Sequence, residues 1–88
     1  MRETTFKHSA LLAYFEFQVS NKRLARKIND LLKDIARHPT SGLGKPEALK
    51  GDYAGYYSRR IDEKNRIIYR FDDERVEIVQ VGQHYNDK

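Results

Sequence analysis

Cysteine is absent from this 88-residue chain, which excludes a disulfide framework, a thiolate nucleophile and the usual thiolate-bound structural zinc. No apolar run approaches the ~20 residues that a membrane-spanning helix needs, and Met1-Arg2-Glu3-Thr4-Thr5-Phe6 lacks the apolar core of a signal peptide. A soluble, cytoplasmic protein without membrane association is the expectation. Also missing are a phosphate-cradling glycine motif and a serine-elbow signature. His8, His38 and His84 stand far apart, with no cluster of histidine and carboxylate at metal-ligand spacing, so no cofactor and no metal is expected. There is no low-complexity stretch, internal repeat or linker, and the expectation is one domain over residues 1–88. A domain this small buries only ~60% of the surface its unfolded chain exposes, which makes a tight partner plausible on size alone.

What the chain does have is charge. Lysine and arginine outnumber the acids 17 to 13, for a net charge of +4, and charged residues make up 34% of the sequence. The balance favours polyanions as partners, but with both signs interspersed it also fits plain solubility.

The clearest local signal is helical. Leu24, Ile28, Leu31, Leu32 and Ile35 recur at the spacing of one buried helical stripe, with Ser20 or Asn21 as N-cap and His38-Pro39 as terminator. Lys22, Arg26, Lys33 and Arg37 gather on the opposite face, either as a solvated surface or as a phosphate-facing patch. Ser9 to about Gln18 reads as a shorter, more apolar helix, preceded by a strand over Thr4 to Lys7. From Thr40 to Gly55, glycines and Lys45-Pro46 predict an irregular connection.

After that the period changes to two. Tyr56 to Ile61, Arg66 to Phe71 and Arg75 to about Gln83 read as consecutive strands separated by polar turns, an antiparallel meander. Alternation puts Ile67, Tyr69 and Phe71 on the face that meets the helices, and Arg66, Ile68 and Arg70 on the other, where Arg59 or Arg60 can join them. The order strand, two helices, three strands completing one sheet predicts an α+β class.

A ribonuclease that uses no metal needs a base for the 2′-hydroxyl, a cation for the phosphoryl oxygens and an acid for the leaving 5′-oxygen. Glu47, Arg66 and His84 supply those types, although any small basic domain offers a Glu, an Arg and a His. More specific is an ordered series of motifs: Lys22-Arg23 and Lys27-Ile28-Asn29-Asp30-Leu31-Leu32-Lys33-Asp34-Ile35, then Gly44-Lys45-Pro46-Glu47-Ala48-Leu49-Lys50, Tyr57-Ser58-Arg59-Arg60-Ile61, Arg66-Ile67-Ile68-Tyr69 and His84-Tyr85. Together they resemble the Txe/YoeB family of messenger-RNA interferases, within the RelE/ParE toxin superfamily, over nearly the whole chain.

The resemblance implies the microbial-ribonuclease-like fold of that superfamily, a ribosome-dependent cut in messenger RNA at the A site, and neutralisation by a YefM-type antitoxin; partners are then the antitoxin, the bacterial ribosome and mRNA, and whether the free protein forms a homodimer stays open. By the same likeness Glu47 matches the general base, Arg66 the transition-state arginine, His84 the catalytic acid and Tyr85 a substrate-placing tyrosine. Lys45, Lys50, Arg59 and Arg60 match RNA-binding positions. Lys64 stands where relatives often carry a carboxylate and Asn65 where they frequently have histidine; Phe6 and Leu11 replace tryptophans; and Asn86-Asp87-Lys88 extend beyond the His-Tyr pair that commonly ends the family. Two alternatives remain open: a non-catalytic, gyrase-blocking inhibitor of the ParE type, and a degenerate toxin acting only in an antitoxin complex.

Overall fold

The structure, a computed structural model, describes residues 1–83. Its elements run β1 (Glu3–Phe6), α1 (His8–Ser20), α2 (Lys22–Arg37), β2 (Glu47–Ala48), a single 3-10 turn (Gly51–Tyr53), β3 (Tyr57–Arg60), β4 (Arg66–Phe71) and β5 (Arg75–Gly82).

The two helices meet at one residue. Asn21 ends α1 by donating its backbone N–H to the Phe17 carbonyl, and opens α2 by accepting the Leu24 N–H on its side-chain oxygen at 3.1 Å. Its short amide side chain caps the orphan N–H of the new helix, so of the two expected caps it is Asn21 that serves. At the other end His38 donates its N–H to the Asp34 carbonyl and Pro39 stops the helix. α2 buries Leu24, Ile28, Leu31 and Ile35 as its spacing predicts, with Leu32 half-buried, while Lys22, Arg26, Lys33 and Arg37 are exposed. α1 is less divided: Ala10 is buried, yet Leu12, Phe15 and Val19 face solvent.

Among the described residues the sheet has five strands in the order β1-β5-β4-β3-β2. β1 pairs parallel to β5, with Phe6 beside Ile78, and the expected meander follows antiparallel through β5, β4 and β3. The connection after α2 is not wholly irregular, because Glu47 and Ala48 pair with Ser58 and Tyr57 as a two-residue edge strand. Pairing shifts between Ile68 (opposite Gln80) and Tyr69 (opposite Ile78), which leaves Val79 as an extra residue in β5. This bulge lets Val76, Ile78 and Val81 all share the face of Ile67, Tyr69 and Phe71. Against that face pack Ala10, Leu24, Ile28, Leu31 and Ile35, forming one core with Ile61.

One charged residue crosses the core. Arg59, opposite Ile67, points to the helix side and is 0% exposed. Its Nη1 pairs with Asp34 Oδ2 at 2.7 Å and donates to the Leu43 carbonyl at 2.8 Å; Nη2 donates to the carbonyls of His38 and Ser41; and Nε donates to the Tyr69 hydroxyl at 3.0 Å. Tyr69 in turn donates to the Pro39 carbonyl at 2.6 Å. The loop after α2 is thus wrapped around a guanidinium whose donors are satisfied, the condition for burying a cation. Gly44 makes the wrapping possible: it has φ +78°, and a Cβ there would lie 2.8 Å from Leu31 Cδ2 and 2.9 Å from the Arg60 carbonyl oxygen. Burial opposes ionisation of Asp34, but hydrogen bonds from Arg59 and the Leu43 N–H, with the charges of Arg59 and His38, hold its carboxyl below the usual carboxylate range. Burial pushes the Tyr69 phenol up, partly offset by Arg59.

Candidate active site

Strand register builds the outer face of the sheet. Ser58 lies opposite Ile68 and Glu47 opposite Ser58, while Arg60 lies opposite Arg66 and Arg66 opposite Gly82. Side chains directly paired across strands share a face, so Glu47, Ser58, Arg60, Arg66 and, further along β4, Arg70 all sit away from the helices. The short strand β2 matters for this reason: its pairing carries the Glu47 carboxylate over to Arg66.

Arg66 Nη1 lies 3.8 Å from Glu47 Oε1 and donates to the Ser58 hydroxyl at 3.3 Å. The Glu47 side chain is 61% exposed and that of Arg66 23%, so the carboxylate is close to the cation yet open to water and to a ligand. A guanidinium carries five N–H donors; one goes to Ser58, which leaves others to meet phosphate oxygens in the fork geometry that suits them. Ser58 itself is fully buried. Sequence reasoning gave it no role, although its alternation with Arg60 in β3 is the signal that places it on this face.

Arg60 is exposed and stands across from Arg66. Like charges facing each other across strands repel, a cost that a bound polyanion removes. Lys45 and Lys50 are also exposed and flank β2; Lys45 holds φ +54° just before Pro46. Its neighbour Gly44 accepts the Arg60 N–H on its carbonyl at 2.7 Å, which ties the lysine's loop to β3. Three of the four expected RNA-binding cations, Lys45, Lys50 and Arg60, are therefore solvent-facing. Arg59 is not. The expectation that it binds RNA is corrected, because its guanidinium is buried on the opposite face and committed to Asp34, Tyr69 and three carbonyls.

The turn before Arg66 is closed by Asp62. Its Oδ1 accepts from the Lys64 N–H and the Asn65 N–H, each at 2.8 Å, and from the Asn65 side-chain amide at 3.0 Å. Burial works against the charged form, but these donors and the Arg23 charge hold the Asp62 carboxyl low. Asn65, where relatives frequently carry histidine, is thus spent on turn closure, and Lys64 is exposed. His84 and Tyr85 lie outside the described residues. In sequence His84 follows by two residues Gly82, the partner of Arg66. Among the described residues no group of three or more His, Asp or Glu could hold a metal ion, and no helix is long and apolar enough to cross a membrane.

The pattern of the YoeB-like toxin of bacterial type II toxin-antitoxin systems matches residues 6–85. Toxin YoeB of Streptomyces coelicolor is 47% identical over 72 residues, covering 82% of this chain and 86% of the relative. In the heterotetrameric YoeB-YefM toxin-antitoxin complex of Staphylococcus aureus, the matched chain is 42% identical with a TM-score of 0.87, covering 97% of this chain and 99% of that one. The Staphylococcus aureus YoeB dimer gives 42% identity and a TM-score of 0.86, covering 96% and 98%. The expected α+β, YoeB-like architecture is the one found.

Proposed function

The chain belongs to the family of YoeB-like toxins of bacterial type II toxin-antitoxin systems, and on that premise we propose that it is a ribosome-dependent endoribonuclease that cuts messenger RNA in the A site and arrests translation. The observation that carries this reading is the pairing of Glu47 with Arg66 on an exposed basic face of the sheet, 3.8 Å apart and braced by Ser58.

Glu47 takes the proton from the ribose 2′-hydroxyl, whose oxygen attacks the adjacent phosphorus. Arg66 donates to the non-bridging oxygens as negative charge builds on them. His84 protonates the leaving 5′-oxygen as the P–O5′ bond breaks, and Tyr85 helps to place the substrate. The products are a 2′,3′-cyclic phosphate and a 5′-hydroxyl, and the chemistry needs no metal or cofactor. Lys45, Lys50 and Arg60 hold neighbouring phosphates, consistent with the repulsive Arg60 and Arg66 pair. The work takes place in the cytoplasm, where ribosomes and mRNA are. A YefM-type antitoxin neutralises the toxin, supported by the YefM complex of the Staphylococcus aureus relative; the dimer of that relative supports a homodimer here.

Single-turnover cleavage of a defined mRNA, with and without ribosomes, tests the reading. The expected result is efficient cutting only on the ribosome, because so small a basic surface has few convergent groups to orient an in-line attack. Efficient cutting of free RNA contradicts ribosome dependence, and no cutting in either arm contradicts the enzyme.

A further inference from the structure

A cavity opens on the same outer face of the sheet. It has a volume of about 320 Å³, and its walls include Asp52, Tyr53, Tyr56, Arg70, Glu77 and Gln80. Arg70 lies four residues along β4 from Arg66 on the same face, roughly 13 Å at ~3.3 Å per residue. A strand of about four stacked nucleotides, at ~3.4 Å each, spans that distance.

The walls are organised. The Arg70 guanidinium lies 5.4 Å from the centroid of the Tyr56 ring, donates to the Tyr56 hydroxyl at 3.1 Å and is fixed from the other side by Glu77 at 2.8 Å. Glu77 correspondingly raises the Arg70 pKa. Tyr53 and Tyr56 meet edge to face, with centroids 6.0 Å apart. Lys7 and Arg70 are countered by Asp52 and Glu77 around the opening, so net charge gives a phosphate no reason to settle there. Planar aromatic and guanidinium surfaces suit a neutral heterocycle, and the Gln80 amide can pair with the edge of a base.

We propose that this cavity is a nucleobase subsite, which takes one unpaired base of the cleaved mRNA within about four nucleotides of the cut. The inference rests on the ribonuclease reading above. An mRNA base, rather than a ribosomal RNA base, is the occupant because the cavity continues the face that holds Glu47 and Arg66.

The test is single-turnover cleavage on ribosomes programmed with mRNAs carrying an abasic nucleotide at each of several positions on both sides of the cut, with unaltered protein, Tyr56→Leu and Tyr56→Phe. One abasic position should raise the half-saturating toxin concentration of the unaltered protein roughly 5- to 150-fold, the range expected for one base stacked on an aromatic ring, with the cleavage rate at saturation little changed. Tyr56→Leu should show the same loss on intact mRNA and no additional loss at that abasic position, while Tyr56→Phe, which keeps the ring, should recover most of it. Thermal unfolding of both variants separates this pattern from misfolding. Tyr56→Leu weakened equally on every template, with no abasic position affecting the unaltered protein, would assign the cavity to ribosomal RNA or to packing and overturn the inference. Absence of cleavage by the unaltered protein overturns the ribonuclease reading and this inference with it, so the two failures are distinguishable.

Discussion

Replacing Asp34 by alanine removes the anion from beneath Arg59 and leaves a fully buried guanidinium held only by neutral acceptors. Breaking a buried ion pair by deleting one partner costs about 3–5 kcal/mol. The Asp34 side chain retains 19% exposure, so water reaches the vacated place, and four acceptors to Arg59 survive, namely Tyr69 and the carbonyls of His38, Ser41 and Leu43. The lower end, about 3 kcal/mol, is therefore expected. For a domain of this length that corresponds to a melting temperature lower by about 12–24 °C. Urea unfolding followed by circular dichroism gives the free energy, and pH supplies a second axis. Asp34 has its folded pKa depressed, so its contribution is present above the unfolded value of about 3.9 and is lost as pH falls through the lower folded value. The gap between Asp34→Ala and the parent should be full at neutral pH and should narrow below about pH 4. A loss under about 1 kcal/mol, the value of a surface pair, or a gap that does not change in acid, would refute the account of Arg59 as a structural cation.

Arg66→Ala should abolish growth inhibition with little change in melting temperature, since Arg66 lies on the outer face; a mutant that stays toxic moves the transition-state role elsewhere. Glu47→Gln should slow single-turnover cleavage by about 10²- to 10⁴-fold, as for a lost general base, and erase one limb of the pH profile; parental kinetics would remove its role. Arg60→Ala should weaken ribosome-bound cleavage at unchanged stability whereas Arg59→Ala should fail to fold, and the reverse outcome in thermal melts would contradict the assigned faces. Gly44→Ala should cost about 1–3 kcal/mol for a side chain in the left-handed region, seen as a lower urea midpoint, with an unchanged midpoint counting against the tight loop.

Much of this arrangement was legible because it is periodic. The Leu24 to Ile35 stripe defined α2, and alternation in β4 separated Ile67 and Tyr69 from Arg66 and Arg70. What escaped was decided by pairing between distant segments. A two-residue strand at Glu47–Ala48 has no period to detect, so the device that brings Glu47 to Arg66 read as loop. Whether Arg59 or Arg60 joined the outer face depended on the register across the Ile61 to Asn65 turn, which aligns Arg59 with Ile67 and Arg60 with Arg66. Reading Arg59 as an RNA ligand followed from the family resemblance; burial was knowable only from its opposition to a core isoleucine and from Asp34, 25 residues away. The bulge at Val79 likewise depends on the partner strand. Asn65 stood out in the sequence only as a departure from the family's frequent histidine, and the structure gives it a local task, closing the turn on Asp62.

The central claim is cleavage of mRNA on the ribosome, and 5′-end mapping of cellular mRNA after brief induction tests it most directly. New 5′ ends phased to the reading frame, present with the parent protein and lost with Arg66→Ala, are the predicted result. Growth arrest without new mRNA ends, or ends distributed without regard to frame and equally abundant with Arg66→Ala, would contradict it.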